Sequence, residues 1–168
     1  RQDLARVRVS EARLRNTQFF TDVQVVPVPS PFPNQSDLHV IVKEGGTGSV
    51  SVGAGYSTVQ KLVTFIEYSE GNFDYTNPEG WYRGGGQKFR VKLELGSVSN
   101  SLEHSFEEPA LWDRELSVGY KIERRYTGYS SANYNVVNEG VGVYARRRLF
   151  STVEGRIAYD LRRVSVGN

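Results

Sequence analysis

The chain has 168 residues, neither cysteine nor methionine, and a formal net charge of +2. That length holds one modest domain, or a small unit joined to part of another, and the missing methionine reads as a processed chain or a piece of a longer one. Without cysteine there is no disulfide framework and no thiolate metal site, and the small charge supplies no strong field for nucleic acid. No run approaches the ~20 apolar residues of a transmembrane helix, and no signal-peptide hydrophobic segment is present. A transmembrane β-barrel stays open, because only every second residue of its strands is apolar. The 17 glycines and 10 tyrosines suit many strands with turns and interfacial aromatics.

Residues 1–20 predict a helical tail. Leu4, Ala5, Val7, Ala12 and Leu14 are its apolar members, set among Arg6, Arg8, Glu11, Arg13 and Arg15. The period is imperfect, so Val9 and Ser10 mark a candidate break, with Ser10 capping a second helical piece. Phe19 and Phe20 end the helix and are expected to pack under a sheet. Residues 23–26 form a short strand. The proline-rich residues 27–34 supply too few N–H groups for a central strand and predict a loop or wide hairpin tip. Residues 38–43 are a second strand. Helix, strand, loop, strand is half of a small α+β unit, closed by a hinge at Gly45 and Gly46.

From Thr47 onward the pattern changes to long alternating strands. Residues 48–57 place Val50, Val52, Ala54 and Tyr56 on one face, with Ser49, Ser51, Gly53 and Gly55 on the other. Residues 62–70 alternate less cleanly. Residues 87–96 set Phe89, Val91, Leu93 and Leu95 against Lys88, Arg90, Lys92 and Glu94. The same rhythm recurs over 101–107, 114–123, 135–145 and 151–163, giving about seven strands in all. Several approach the ~9–11 residues of a tilted bilayer-spanning strand, where soluble strands average ~5–6. Full charges on the polar face suit a wet lumen better than the interior of a soluble lipid-binding barrel. Seven strands do not make the usual even count of a closed bacterial barrel.

Other signals point to no chemistry. Gly84, Gly85 and Gly86 lack the Lys-Ser/Thr of a phosphate loop and precede a strand, which predicts a hairpin turn. His104 and Ser105 are adjacent in a strand and face opposite ways, so they cannot pair as in a hydrolase. Two histidines are too few for a metal site. No catalytic group, metal or cofactor is therefore expected. Arg124 and Arg125 fall in an expected outer loop, as solvated charge or in contact with lipid phosphates; Arg146, Arg147 and Arg148 at the opposite rim, and Arg162 and Arg163 near the outer one, are explained by interfacial anchoring. Trp81, Tyr82 and Trp112 fit an inner aromatic girdle and equally suit packing on the first unit.

An ordered series of motifs resembles the BamA superfamily of outer-membrane β-barrel proteins. Residues 10–25, with Ser10, Leu14, the Phe19-Phe20 pair and Asp22-Val23, look like the second helix and following strand of a POTRA domain. Residues 37–44 are similar to its last strand. Residues 47–56 resemble the first barrel strand. Asn72-Phe73 followed by Gly84–Gln87 resembles the hairpin into the third strand, and Glu108-Pro109 with Trp112-Asp113-Arg114 the turn before the fifth. Thr17-Gln18 departs from the family's usual Leu-Gly, the insert at 74–83 exceeds a minimal turn, and the family's lumen-loop motif and C-terminal β-signal fall outside this chain.

The resemblance implies a mainly β fold: the C-terminal half of an α+β POTRA domain over residues 1–46, then the first strands of an antiparallel transmembrane barrel over 47–168. It implies POTRA packing by Leu14, Phe19, Phe20 and Val23. It also implies a lateral seam at Gly48, Ser49, Val50, Ser51, Val52, Gly53, Ala54, Gly55 and Tyr56, where an incoming strand adds to an open edge. The implied function is non-enzymatic folding and insertion of outer-membrane proteins, with unfolded clients, membrane lipids and accessory periplasmic lipoproteins as partners, no nucleic acid, and the POTRA part in the periplasm. The glycines of the first strand suit a weak gate; they equally suit barrel curvature. A translocation pore of the same superfamily (a TamA-like or two-partner secretion role) and a passive porin-like barrel are the alternatives.

Overall fold

A computed structural model describes residues 4–16, 19–31, 36–58, 61–129, 134–150 and 153–167. The chain forms two compact units, Arg1–Thr47 and Gly48–Asn168.

In the first unit a helix, α1 (Leu4–Asn16), precedes an antiparallel pair of strands, β1 (Phe20–Pro29) and β2 (Ser36–Glu44). The helix runs through Val9 and Ser10 without the expected break, so Ser10 is an interior residue and not a cap. Good helix formers on the C-terminal side outweigh the small propensity loss at two positions. Arg15 also bonds Glu11 one turn back at 2.8 Å, a favourable i, i+4 pair. The same guanidinium donates to the Val23 carbonyl at 3.0 Å, tying α1 to β1, and the Val23 side chain is fully buried.

The strand expected over 23–26 is longer. It continues through Pro27, Val28 and Pro29, which pair with Leu38, Asp37 and Ser36. The reason is that both strands of a two-stranded sheet are edges, where proline is tolerated. Pro27 and Pro29 are two residues apart and so share one side of the ladder. Pairing persists through them because that side faces away from β2. Residues 32–35, the rest of the expected hairpin tip, lie outside the described residues.

The second unit is one antiparallel seven-stranded sheet in sequence order. Its strands are β3 (Gly48–Ser57), β4 (Lys61–Phe73), β5 (Gln87–Gly96), β6 (Ser99–Glu108), β7 (Leu116–Tyr129), β8 (Tyr134–Arg148) and β9 (Glu154–Gly167). The sheet is open: β3 and β9 end it and do not pair with each other. Strands β4, β7, β8 and β9 exceed their expected lengths. Arg124 and Arg125, expected in a loop, lie inside β7, where the Arg124 Nε pairs with Glu139 of β8 at 3.4 Å. Stacked Tyr129 and Tyr134 rings 4.9 Å apart carry the ladder to the hairpin end. Of the last predicted strand, Ser151 and Thr152 lie outside the described residues.

Register sorts the side chains of this sheet onto two unlike faces. One carries Val50, Val52, Ile66, Leu93, Val141, Val143, Ile157 and Leu161, all exposed, with Val52 at 72% and Ile157 at 80%. No second layer of described residues covers it. An apolar face of this extent is unstable against water and calls for a lipid medium. The other face carries Glu67, Arg90, Lys92, Glu103, Lys121 and Glu123, paired across strands. His104 and Ser105 do point to opposite faces, and His104 Nε2 lies 3.0 Å from the Tyr120 hydroxyl.

The insert between β4 and β5 is a folded loop. The Asn77 side-chain oxygen accepts from Gly80 N at 3.0 Å. Asn72 receives Gly84 N at its backbone carbonyl (2.9 Å) and Gly86 N at its side chain (2.8 Å). Gly84 (φ 115°) and Gly86 (φ 70°) occupy the left-handed region that this return requires.

If the uncovered face meets lipid, a cation at its centre is costly. Val141→Arg in the full-length parent protein is expected to lower stability by about 2–4 kcal/mol, with Val141→Leu near neutral. Urea unfolding in lipid vesicles checks this; equal stability of the two variants would contradict a lipid-facing surface.

Candidate functional site

The candidate site is β3 with the surfaces beside it. β3 pairs with β4 alone, from Gly48↔Glu70 to Ser57↔Lys61, and its outer edge has no partner among the described strands. The described residues before Gly48 belong to the other unit, whose two strands pair with each other.

The nine expected seam residues all lie in β3, and their side chains divide by parity. Val50, Val52, Ala54 and Tyr56 lie on the exposed apolar face. Ser49 and Ser51 lie on the charged face, where the Ser49 hydroxyl meets that of Ser69 at 2.8 Å. The glycines have different causes. A Cβ at Gly53 would collide with the Phe65 ring, whereas one at Gly55 would meet nothing within 4 Å. Gly53 is thus a seat for an aromatic ring on the neighbouring strand, the arrangement that restores packing to a strand glycine. The Lys92 ammonium lies over the opposite side of this contact, 5.1 Å from the Phe65 centroid, within cation–π range.

Gly48 is shaped by a contact that sequence reading missed. A Cβ there would approach Glu70 Oε2 to 2.8 Å. Glu70 sits on the apolar parity of β4, yet its side chain is 1% exposed. It accepts from Asn72 N at 3.0 Å and from Arg83 Nε at 3.2 Å. The insert thereby folds back beside the start of β3. Phe73 stacks on Phe89 at 4.8 Å and on Tyr82 at 6.0 Å, while Trp81 stays 86% exposed. The available signal was parity: a carboxylate in register with Leu62, Ile66 and Tyr68 demands a cation, and the insert contains one.

The charged face forms two networks. Arg90 bridges Glu67 (2.8 Å) and Glu103 (3.1 Å), and Lys121 continues to Glu103 (3.0 Å) and Glu123 (3.1 Å). Nearer the other strand ends, Glu107 receives Lys88 (3.2 Å), Arg146 (2.9 Å) and the Tyr144 hydroxyl. Together these tie β4 to β8. Beside the first network, Ser101, Glu123, Arg125, Asn138 and Arg162 line a groove. In the first unit, Val23 is fully buried and Leu14, Phe19 and Phe20 are half-buried. The phenylalanine rings meet edge to face at 6.4 Å, and Gly45 N donates to the Phe19 carbonyl at 2.8 Å.

No family model matches the chain. The outer membrane protein assembly factor BamA of Nitratidesulfovibrio vulgaris is 31% identical over 131 residues, 77% of this chain. The chain belongs to the BamA superfamily. It spans only 15% of the length of that relative. The crystal structure of BamA from Haemophilus ducreyi lacking POTRA domains 1-3 matches 96% of this chain and 30% of its own, with a TM-score of 0.73 at 21% identity; that likeness shows the fold. The relatives are outer membrane proteins by name, in keeping with an apolar face without a covering layer.

Two stability tests follow from this geometry. Gly53→Ala is expected to cost about 1–3 kcal/mol by overpacking, and adding Phe65→Ala should remove most of that penalty; a double-mutant cycle by urea unfolding measures the coupling. Arg90→Ala, which leaves Glu67 and Glu103 without their shared cation, is expected to cost about 1 kcal/mol at low salt and less at 1 M salt. A salt-independent loss would mean that packing, not charge, holds those strands.

Proposed function

We propose that residues 48–167 supply the opening strands of an outer-membrane protein assembly factor and that β3, from Gly48 to Tyr56, is the client-facing edge of its lateral seam. The observation that carries this reading is the edge itself: β3 starts the sheet, and one whole side of its backbone is unpaired among the described strands. In lipid each unsatisfied N–H or C=O costs several kcal/mol, so a strand arriving at that edge gains main-chain hydrogen bonds with no loss of hydration. Adding a strand to an exposed sheet edge is an established recognition mode.

The side chains of β3 favour reversible pairing. Gly55 and Ala54 add little cross-strand packing, and a strand glycine weakens pairing by roughly 0.5–1 kcal/mol relative to alanine. A seam that must open and re-form is served by such a strand. The first unit supports the remainder of the proposal. Its helix is tied to β1 by the Arg15 bond to the Val23 carbonyl, while Val40, Ile41 and Val42 of β2 stay exposed, as in an α+β unit with part of its cover elsewhere. It is read as the C-terminal half of a POTRA domain in the periplasm, where its strands offer an edge to unfolded clients and its surface meets accessory lipoproteins.

The test uses the full-length parent protein. A disulfide between Val52→Cys and a cysteine in the last barrel strand is expected to stop outer-membrane protein assembly in cells, with recovery on reduction. Normal assembly with the seam locked would reject the gate and favour a pore role within the superfamily.

A further inference from the structure

We propose that Arg124 and Arg163 form a docking site for a phosphate group of a membrane-lipid headgroup, on the apolar face of the sheet at the ends of β7 and β9. The inference rests on reading that face as lipid-facing.

The register isolates the site. One cross-strand row begins with Val52, Ile66, Leu93 and Leu102 on β3–β6 and then changes character on the last three strands. There Arg124 of β7 pairs with Glu139 of β8, which pairs with Arg163 of β9. Two cations thus flank one carboxylate on a face that is mainly aliphatic and aromatic, with Glu70 and Arg147 near the opposite strand ends.

Position explains why the charges are tolerated there. Arg124 lies eight residues along β7 from Leu116. A strand rising ~3.3 Å per residue and tilted ~35–45° climbs about 2.5 Å per residue, or about 20 Å to this point, near the far boundary of a ~25 Å apolar band. The residues before it on the same face are Val118, Tyr120 and Ile122 on β7 and Ile157, Tyr159 and Leu161 on β9. The following row holds Tyr126, Val137 and Ser165, with an interfacial aromatic and a polar residue on either side of a valine. The triplet therefore sits where the acyl chains give way to headgroups.

Charge selects the ligand. Glu139 neutralises one cation only. Arg124 reaches it through Nε at 3.4 Å with 69% of its side chain exposed, which leaves the terminal guanidinium nitrogens free to engage another acceptor. Arg163 has no ion pair with a described residue and is exposed. Their backbones stand about 10 Å apart, two strand spacings, so two long side chains can converge on one tetrahedral anion above Glu139. Guanidinium forks match phosphate oxygens in geometry and charge, and at this depth the anion available in quantity is the headgroup phosphate. By register the sequence neighbours Arg125 and Arg162 point to the opposite face, while the groove described above is lined by residues of both parities, Arg124, Glu139 and Arg163 among them. Arg125 and Arg162 share the local net charge but not the lipid surface, and serve as internal controls.

Native mass spectrometry of the full-length protein in detergent, titrated with lipid A bearing both phosphates or with the same lipid A dephosphorylated, tests the site. The wild type is expected to hold the phosphorylated form about tenfold more tightly. Arg124→Gln with Arg163→Gln should abolish that preference, Glu139→Gln should increase it, and Arg125→Gln with Arg162→Gln should leave it unchanged. Loss of the preference in the Arg125/Arg162 pair to the same degree, or its retention in the Arg124/Arg163 pair, overturns the site. Displacement of the lipid by equimolar inorganic phosphate overturns it too, by assigning the arginines to free phosphate. A fluorophore on Leu161→Cys, read by brominated-lipid quenching, tests the lipid-facing surface separately: quenching there with an unaltered Arg124/Arg163 variant rejects only the phosphate site.

Discussion

Backbone pairing is the constraint on which the large sheet depends. Water satisfies a stray N–H or C=O at the edge of a soluble sheet, but inside a bilayer nothing does. Strands β4 to β8 have neighbours on both sides, so their polar backbones are internally paired. β3 and β9 are paired on one side each. Along the sheet the strands differ in kind: a light first strand, a folded insert beside its start, and strands cross-linked by charge from β4 onward.

The sheet has one layer, so it has no core of the usual kind. Its apolar side chains point outward, and cohesion across strands falls to the ladder and to the charged face. There, carboxylates and cations alternate from strand to strand, with Arg90, Lys121 and Glu107 each contacting more than one partner. Individual exposed ion pairs contribute little. A connected set spanning several strands acts differently, because moving one strand breaks several contacts together. β3 contributes no charged side chain to these networks, so the strand proposed to open is not held by them.

Much of this architecture was legible in the sequence, because period-two alternation is set by local chemistry. The strand over 87–96 appears with its expected bounds, and its faces are as the alternation requires. Legibility failed where a long-range partner overrode a local signal. Arg124 and Arg125 read as loop because charge suggests solvent, yet Glu139 on the next strand retains one of them in the ladder. Prolines read as loop because they lack donors, yet an edge strand has a side on which donors are unnecessary. Gly53 read as flexibility or curvature, whereas the reason for its bare Cα is a ring on β4. In the candidate site, the nine residues of the first strand were legible from alternation and resemblance. The Glu70–Arg83 contact was not, because its partners are thirteen residues apart across an insert whose fold the sequence does not announce.

The prolines of β1 have a consequence for the small sheet as well. An edge that recruits another strand must present donors at every second residue, and Pro27 and Pro29 occupy two successive such positions. Toward its hairpin end the outer margin of β1 can accept hydrogen bonds but cannot donate them. The opposite margin, along β2 from Asp37 to Glu44, contains no proline. The two-stranded sheet is therefore adhesive on one flank and muted on the other.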